Sequence, residues 1–359
     1  MKRKAVLVVS ALRGGGAEKF VLNLYKALEK YENFECHILA IEKAVQHDIA
    51  GFRVHFASDI CNVSKKGWRR LFYKKNVAKA IDDFVMKNIG EDALVLSNML
   101  LADKIMSYSK LNVFHVIHNS YSTSLLKGKN KLNQLRVIVK TNNIYKNHPL
   151  VFVSEASKES YFKKFKSHKD NHVIYNPIDL DEIFLLSNNF SSDIDGDYII
   201  HVGRFNRAKR HDRLISIFSE VKNKNIKLAL LGDGDLKAEV LKKVSELNLE
   251  NRVIFLGFKD NPYPYIKSSK ALVLTSDFEG LPTVLLEAMA LQVPVISMKC
   301  PGGIDEIIDI ETHSICPFGD NSSFAEKIDD VVENPNNYLS LVRECFHPEQ
   351  VAKKYGKLK

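Results

Sequence analysis

KAVLVVSALRGGGAEKFVLNLYKALEK, residues 4–30, holds the pattern that decides the fold. Val6 to Val9 form an unbroken apolar run, as a parallel strand buried on both faces requires. The glycines at 14–16 end the run, and from Ala17 the period changes. Ala17, Phe20, Val21, Leu24 and Leu28 fall at i, i+3, i+4, i+7 and i+11, which is one face of a helix. Strand, glycine loop and helix in this order form the opening of a βαβ unit. Its basic start, MKRK, followed by apolar residues is reminiscent of a signal peptide. No small-x-small cleavage site follows, and the run enters the glycine loop, so it reads as a first buried strand.

The same alternation runs outward from this stretch. Strands are expected at 35–41, 93–98, 113–118 and 150–154, and the turn-rich, polar segment 176–196 reads as a linker. The pattern restarts with DYIIHVGR (197–204), IKLALLGDG (226–234), NRVIFLGF (251–258), KALVLT (270–275) and VPVISM (293–298), with helices between. The expectation is an α/β protein of two doubly wound, Rossmann-like domains facing a central cleft. Residues 1–180 form the first domain and 181–345 the second, and 346–359 is expected to pack back on the first. Ligands in such sheets bind outside the carboxyl ends of the strands.

The 359 residues suffice for two cores. The apolar runs are far shorter than the roughly 20 residues a membrane-spanning helix needs. Five scattered cysteines without a C-x-x-C pair give no metal or disulfide framework and fit a reducing compartment, so a cytoplasmic location is expected. The net charge of +9 hides an asymmetry, about +14 in residues 1–180 and −5 in the remainder. KKGWRRLFYKKNVAK, residues 65–79, is the densest basic stretch and interleaves Trp68, Leu71 and Phe72 with seven cations. It suits an anionic lipid surface or a phosphorylated acceptor; the alternative is a solvated helix face with its aromatics turned inward. No recognition motif of a nucleic-acid-binding module accompanies it, so no nucleic-acid partner is expected.

Three segments at strand ends carry chemistry. In RGGGAE (13–18), successive glycines permit backbone conformations closed to other residues, and the helix N-terminus beyond favours an anion. The segment lacks the dinucleotide fingerprint, which argues against an NAD-dependent oxidoreductase; a plain tight turn is the alternative. In HVGRFNRAKR (201–210), Arg204 and Lys209 could clamp a diphosphate, or be solvated surface cations. In SDFEGLPTVLLEAMA (276–290), Pro282 fits the first turn of a helix. Glu279 lies in the loop before it and Glu287 among apolar neighbours inside it. Ribose hydroxyls or a salt bridge would satisfy the buried carboxylate.

Taken together, G-R-x4-K, LLGDGDL and EGLPTVLLEAMA resemble the retaining glycosyltransferases of family 4, which have the GT-B fold and an E-x7-E motif. The likeness extends to GGGAEK, VSEASKESY (153–161), IYNPID (174–179) and PGGIDEII (301–308), and is weakest over about residues 45–135.

The resemblance implies roles residue by residue. Arg204 and Lys209 would neutralise the leaving diphosphate. Glu279 would lie beside the transferred sugar and Glu287 would bind ribose. Gly280, Leu281, Pro282 and Thr283 would offer backbone amides, and Gly15 and Gly16 would close over the diphosphate. His118 would stand near the reaction centre, and Phe258 and Lys259 near the nucleobase. Two positions depart from the family pattern. Arg210 replaces a frequent glycine, adding charge near the phosphates. Asn119 replaces a common acid, leaving open what His118 bonds to.

The resemblance implies an enzyme, a hexosyltransferase moving a sugar from a nucleotide-sugar, UDP-linked on family grounds, to a glycan or lipid-linked acceptor. The product would serve bacterial polysaccharide or lipopolysaccharide synthesis at the inner face of the membrane. No cofactor and no metal are expected, since no D-x-D motif is read at a strand end and cations and a helix N-terminus can take the diphosphate. The competing readings are a sugar-nucleotide epimerase of the same fold and a non-catalytic polyanion- or membrane-binding protein.

Overall fold

The computed structural model describes residues 2–61, 71–167, 169–308 and 312–358. The chain divides into two compact units, Met1–Pro177 with Cys345–Lys359, and Ile178–Glu344. Each is an α/β half built on one parallel sheet.

In the first unit the strands are β1 (Arg3–Val9), β2 (Phe34–Ala40), β3 (Val54–Phe56), β4 (Leu94–Asn98), β5 (Val113–Ile117), β6 (Leu150–Phe152) and β7 (Asn171–Val173). Among the described residues they form one sheet in the order β3-β2-β1-β4-β5-β6-β7, every pair parallel. The order reverses between β1 and β4, the switch point at which such sheets bind ligands. The crossover helices are α1 (Gly16–Tyr31), α2 (Ala57–Ile60), α3 (Tyr73–Asn88), α4 (Leu100–Met106), α5 (Tyr121–Leu126), α6 (Lys131–Tyr145) and α7 (Glu155–Phe162). In α1 the face read from the sequence is the buried one, with Phe20, Val21, Leu24 and Leu28 all in the core.

The second unit begins with α8 (Leu180–Ser187), inside the stretch expected to be a linker. Asp179 caps it by accepting from the Glu182 N–H at 3.0 Å, Ile183 and Ser187 are buried, and it packs on two later helices, α11 and α12, at Tyr263–Lys267 and Thr283–Ala290. Its strands are β8 (Tyr198–Val202), β9 (Lys227–Leu231), β10 (Val253–Gly257), β11 (Ala271–Leu274), β12 (Val295–Met298) and β13 (Ile315–Cys316). They form a parallel sheet in the order β10-β9-β8-β11-β12-β13, with the reversal between β8 and β11. The other helices of this unit are α9 (His211–Glu220), α10 (Lys237–Glu246) and α13 (Asn321–Glu333). The final helix, α14 (Pro348–Gly356), returns to pack against α1 in the first unit. No helix among the described residues is long and apolar enough to cross a membrane.

Candidate functional site

The loops leaving β8 and β11 flank the switch point of the second sheet, and each supplies a charged partner. After β8, the Asn206 side chain accepts from the Ala208 and Lys209 N–H groups at 3.0 and 3.1 Å, folding residues 204–209 back on themselves. The Asp277 N–H donates to the Ala208 carbonyl at 2.7 Å, which ties this loop to the one after β11. As a result the Lys209 ammonium meets Glu279 Oε1 at 2.7 Å, and the Ser276 hydroxyl donates to the same oxygen at 2.6 Å. Glu279 is nearly buried. Thus Lys209 and Glu279, assigned from sequence to different parts of a ligand, form one ion pair.

The backbone under Glu279 is held from a third segment. The Glu279 N–H donates to the Pro301 carbonyl and the Gly303 N–H to the Gly280 carbonyl, each at 2.9 Å. Gly302, between them, has φ +135°, and a Cβ there would lie 2.2 Å from the Glu279 carbonyl oxygen. Only glycine fits that approach. Leu281 lies buried in the same loop, and Pro282 stands just before the first residue of α12, Thr283. Glu287 is buried on that helix at 5% exposure, between Leu286 and Ala288.

Arg204 is exposed on the loop after β8. Arg210 departs from expectation: its guanidinium bonds both carboxylate oxygens of Asp212 at 2.9 Å and Asp277 at 3.1 Å. Arg213 bonds the same Asp277 oxygen at 2.7 Å. These carboxylates hold the Arg210 pKa above its ordinary value and take up its charge, so it is not an added cation for phosphate. Its backbone is left-handed, φ 53°, ψ 49°, the conformation in which glycine is favoured. Behind the loop, buried His201 donates from Nδ1 to the Val273 carbonyl at 2.8 Å, and burial lowers its pKa to about 4.

Phe258 and Lys259 follow β10, at the edge of this sheet. Phe258 is exposed and Lys259 lies over the Tyr265 ring. No contact among the described residues joins either to Lys209 or Glu279. The expectation that no D-x-D motif stands at a strand end fails, because Asp233-Gly234-Asp235 comes just after β9; both its carboxylates are exposed.

In the first unit Gly15 caps α1 in extended backbone, φ −140°, and none of Gly14, Gly15 and Gly16 is left-handed. The glycine run is therefore not required by a special backbone angle. What it provides is room, since a Cβ on Gly16 would meet nothing within 4 Å. His118 follows β5 and is partly buried, with Phe20 edge-on at 4.8 Å between ring centroids. Its partner is Asn98, at the end of β4, which the sequence reading missed. The Asn98 amide donates to the Val8 and Leu96 carbonyls at 3.3 and 3.2 Å, so its Oδ1 faces His118 Nε2 at 3.0 Å. That orientation requires the proton on Nε2 and leaves Nδ1 as an acceptor. Burial lowers the His118 pKa to about 4, so the neutral ring holds this tautomer near pH 7. A polar residue closing the buried run ALVLSN was the available signal.

Of the basic stretch 65–79, residues 65–70 lie outside the described residues. Leu71 and Phe72, next to α3, are exposed, whereas Val77 and Ala78 are buried.

Residues 186–345 match the family described as Glycosyl transferases group 1. The chain is 28% identical, over 98% of its length and 93% of the relative's, to the N-acetylgalactosamine-N,N'-diacetylbacillosaminyl-diphospho-undecaprenol 4-alpha-N-acetylgalactosaminyltransferase of Campylobacter jejuni. It is 31% identical to the lipopolysaccharide 1,6-galactosyltransferase of Escherichia coli, over 48% of this chain and 49% of that one. In fold it resembles Anabaena HepE solved with UDP and glucose, with a TM-score of 0.71 at 17% identity, covering 98% of this chain and 95% of that one. It also resembles Staphylococcus aureus TarM solved with UDP, with a TM-score of 0.73 at 14% identity, covering 99% and 96%. The two parallel-sheet halves are those of the GT-B glycosyltransferases, and the chain is an enzyme of the glycosyltransferase class.

Proposed function

We propose that this glycosyltransferase is a retaining, family 4-type enzyme that transfers a hexosyl group from a UDP-sugar to a glycan or lipid-linked acceptor, without a metal ion. The acceptor would belong to bacterial polysaccharide or lipopolysaccharide synthesis, and the enzyme would work in the cytoplasm at the inner face of the membrane. The observation that carries this reading is the Lys209–Glu279 pair, set on the loops that leave β8 and β11 at the switch point. The UDP held by HepE and TarM and the lipid-linked diphosphate in the name of the Campylobacter relative support the donor and acceptor classes. The sugar-nucleotide epimerase reading is not favoured, because the matched family and these relatives are transferases.

In this reading the transition state places positive charge on the sugar ring and negative charge on the departing diphosphate. Arg204, Lys209 and the N-terminus of α12 stabilise the diphosphate. Glu287 binds ribose, and the amides of Gly280–Thr283 and Gly15–Gly16 hold the phosphates and sugar. Neutral His118 accepts a sugar hydroxyl through Nδ1, and Phe258 and Lys259 lie at the base. Glu279 already shares its Oε1 between Lys209 and Ser276, which suits orienting sugar hydroxyls better than nucleophilic attack. The bond from the anomeric carbon to phosphate breaks while the acceptor oxygen bonds on the same face. The acceptor proton passes to the leaving phosphate oxygen.

The test is thermal-shift screening against nucleoside diphosphates and nucleotide-sugars, with and without EDTA. A ligand at one hundred times its Kd adds about 2.7 kcal/mol. A selective shift with UDP or one UDP-sugar, unchanged by EDTA, is expected. Arg204→Ala should fold and lose transfer by orders of magnitude, and Glu287→Gln should weaken donor binding. An active Arg204→Ala enzyme, or donor binding abolished by EDTA, refutes the corresponding role.

A further inference from the structure

His118 is held at one nitrogen and along one side. At the nitrogen, Asn98 Oδ1 faces Nε2 at 3.0 Å. One hydrogen bond fixes one atom and leaves the imidazole free to turn about it; a second contact removes that freedom. Phe20, in the second turn of α1, is 2% exposed and stands edge-on to the imidazole, with 4.8 Å between ring centroids and 68° between ring planes. The direction of Nδ1 therefore depends on where the Phe20 ring stands.

Phe20 is in turn backed by Tyr355 on α14, whose ring is 6.3 Å away and tilted by 56°. Helix α14 comes from the far end of the sequence and packs on α1, and its Val351, Ala352 and Tyr355 are wholly buried. Its end is tied to the first sheet, since the Arg3 guanidinium on β1 donates to the Gly356 and Leu358 carbonyls, the latter at 3.4 Å. The Tyr355 hydroxyl is buried without a hydrogen-bond partner among the described residues, which costs stability. What Tyr355 contributes is therefore its ring. In a close-packed interior a ring cannot shift unless its neighbours give way, so Tyr355, Phe20 and His118 hold one another in sequence.

We propose that Phe20 and, behind it, Tyr355 are positioning residues for His118: they fix the plane of the imidazole and hence the direction in which Nδ1 accepts. The C-terminal helix then acts on the first unit's site through another residue. Phe20 also shields the imidazole, which agrees with the lowering of the His118 pKa to about 4 by burial. The inference rests on the proposed role of His118 for its effect on transfer. Ring placement is read on the imidazole itself, so the two can fail separately.

The experiment is a ¹⁵N-imidazole NMR titration of the folded full chain, with the His118 signal identified by its loss in His118→Gln. UDP affinity by calorimetry and the rate of UDP release from UDP-glucose, UDP-galactose and UDP-N-acetylglucosamine accompany it. Phe20→Leu should raise the His118 pKa by about one unit or more toward its ordinary value near 6.5. It should slow turnover about tenfold or more, with UDP affinity within about twofold of wild type. Tyr355→Ala, which opens a cavity behind Phe20, should move the pKa and the rate in the same directions by less. Tyr355→Phe keeps the ring, so it should match wild type in both and melt no lower. Phe34→Leu makes the same substitution at another wholly buried phenylalanine, at the start of β2 and so at the end of the sheet away from His118. It should leave the imidazole unchanged. Circular dichroism confirms that each variant folds. An unshifted His118 in folded Phe20→Leu, or in Tyr355→Ala where Phe20→Leu does not fold, overturns the proposal. So do equal shifts in Phe20→Leu and Phe34→Leu, or a Tyr355→Phe protein that behaves as Tyr355→Ala does. Full turnover by His118→Gln refutes the proposed role of His118 and not the placement of its ring.

Discussion

Gly302→Ala tests the close approach that seats Glu279. A Cβ at this position would stand 2.2 Å from the Glu279 carbonyl oxygen and 2.8 Å from its carbon. Ordinary contact distances demand that the two segments part by about 1 Å. Alanine at φ +135° costs about 1–3 kcal/mol, and parting the segments weakens the two 2.9 Å backbone hydrogen bonds between them, each worth about 1 kcal/mol. A loss near 3–4 kcal/mol lowers the melting temperature of a unit this size by roughly 6–15 °C. The 1 Å displacement also moves Glu279 off Lys209, and a misplacement of that size costs about 10²-fold in rate. The control is Gly319→Ala, with φ +85° and nothing within 4 Å of its Cβ, which bears the backbone strain alone. Thermal unfolding by circular dichroism and steady-state transfer assays read both effects. A Gly302→Ala protein that melts within 2 °C of wild type and transfers normally refutes the close approach. Equal losses in the two variants would assign the whole effect to backbone angle.

Glu279→Gln removes the carboxylate paired with Lys209, so UDP should bind more tightly while transfer slows; weaker UDP binding would contradict the pairing. In ¹⁵N-imidazole spectra at pH 7, His118 should be the Nε2–H tautomer, and Asn98→Ala should mix the tautomers; an Nδ1–H ring in wild type would refute the Asn98 orientation. Asp103 is wholly buried and accepts from Ser97 Oγ, Tyr145 OH and His115 Nδ1 at 2.7, 2.8 and 2.9 Å. Asp103→Ala strands the Ser97 and His115 donors and leaves Tyr145 only its 2.9 Å bond with the Tyr121 hydroxyl, and it should cost about 3–5 kcal/mol in denaturant melts; a loss under about 1 kcal/mol would mean the network contributes little. Burial lowers the pKa of His118, His148 and His201 to about 4, so between about 6.5 and 4 the unfolded rings hold protons that the folded ones refuse. Stability should be full above that window and fall as pH drops through it, by at most about 1.4 kcal/mol per pH unit per ring, and a flat profile would exclude the shifts.

The strands that a sequence shows best are those buried on both faces: β11 is wholly apolar, β1 and β9 are apolar after their charged first residues, and β5 and β8 are apolar but for one buried histidine each, His115 and His201. By contrast β3, β7 and β13 are two or three residues long, too short for any period to register. Helix α8 was hidden because Leu180–Ser187 sits among Asn, Ser and Asp, and only its packing on α11 and α12 reveals its buried side. Chemistry followed the same division. The spacing of Arg204, Lys209, Glu279 and Glu287 could be read from residue types. The neutralisation of Arg210 rests first on Asp212, two positions on, and only its second carboxylate, Asp277, lies 67 positions away; the answer to what His118 bonds depends on Asn98, 20 positions earlier.

The Lys209–Glu279 pair shows why such long-range contacts alter the reading of a site. A lone cation on a loop would be solvated, and drawing it under a nearly buried loop would cost several kcal/mol unless a counter-charge came with it. Glu279 supplies that charge through one hydrogen bond. An ammonium has three donors, so Lys209 can keep Glu279 and still reach a phosphate oxygen. Because the pair is nearly neutral, the site holds its geometry without a ligand, and under the proposed function an incoming diphosphate would meet a cation that is already placed. Placement depends in turn on Asn206 folding the first loop, Ser276 sharing Oε1, and Gly302 letting the backbone of the third segment lie against Glu279. None of these three is charged, and each acts by fixing where a charged group stands.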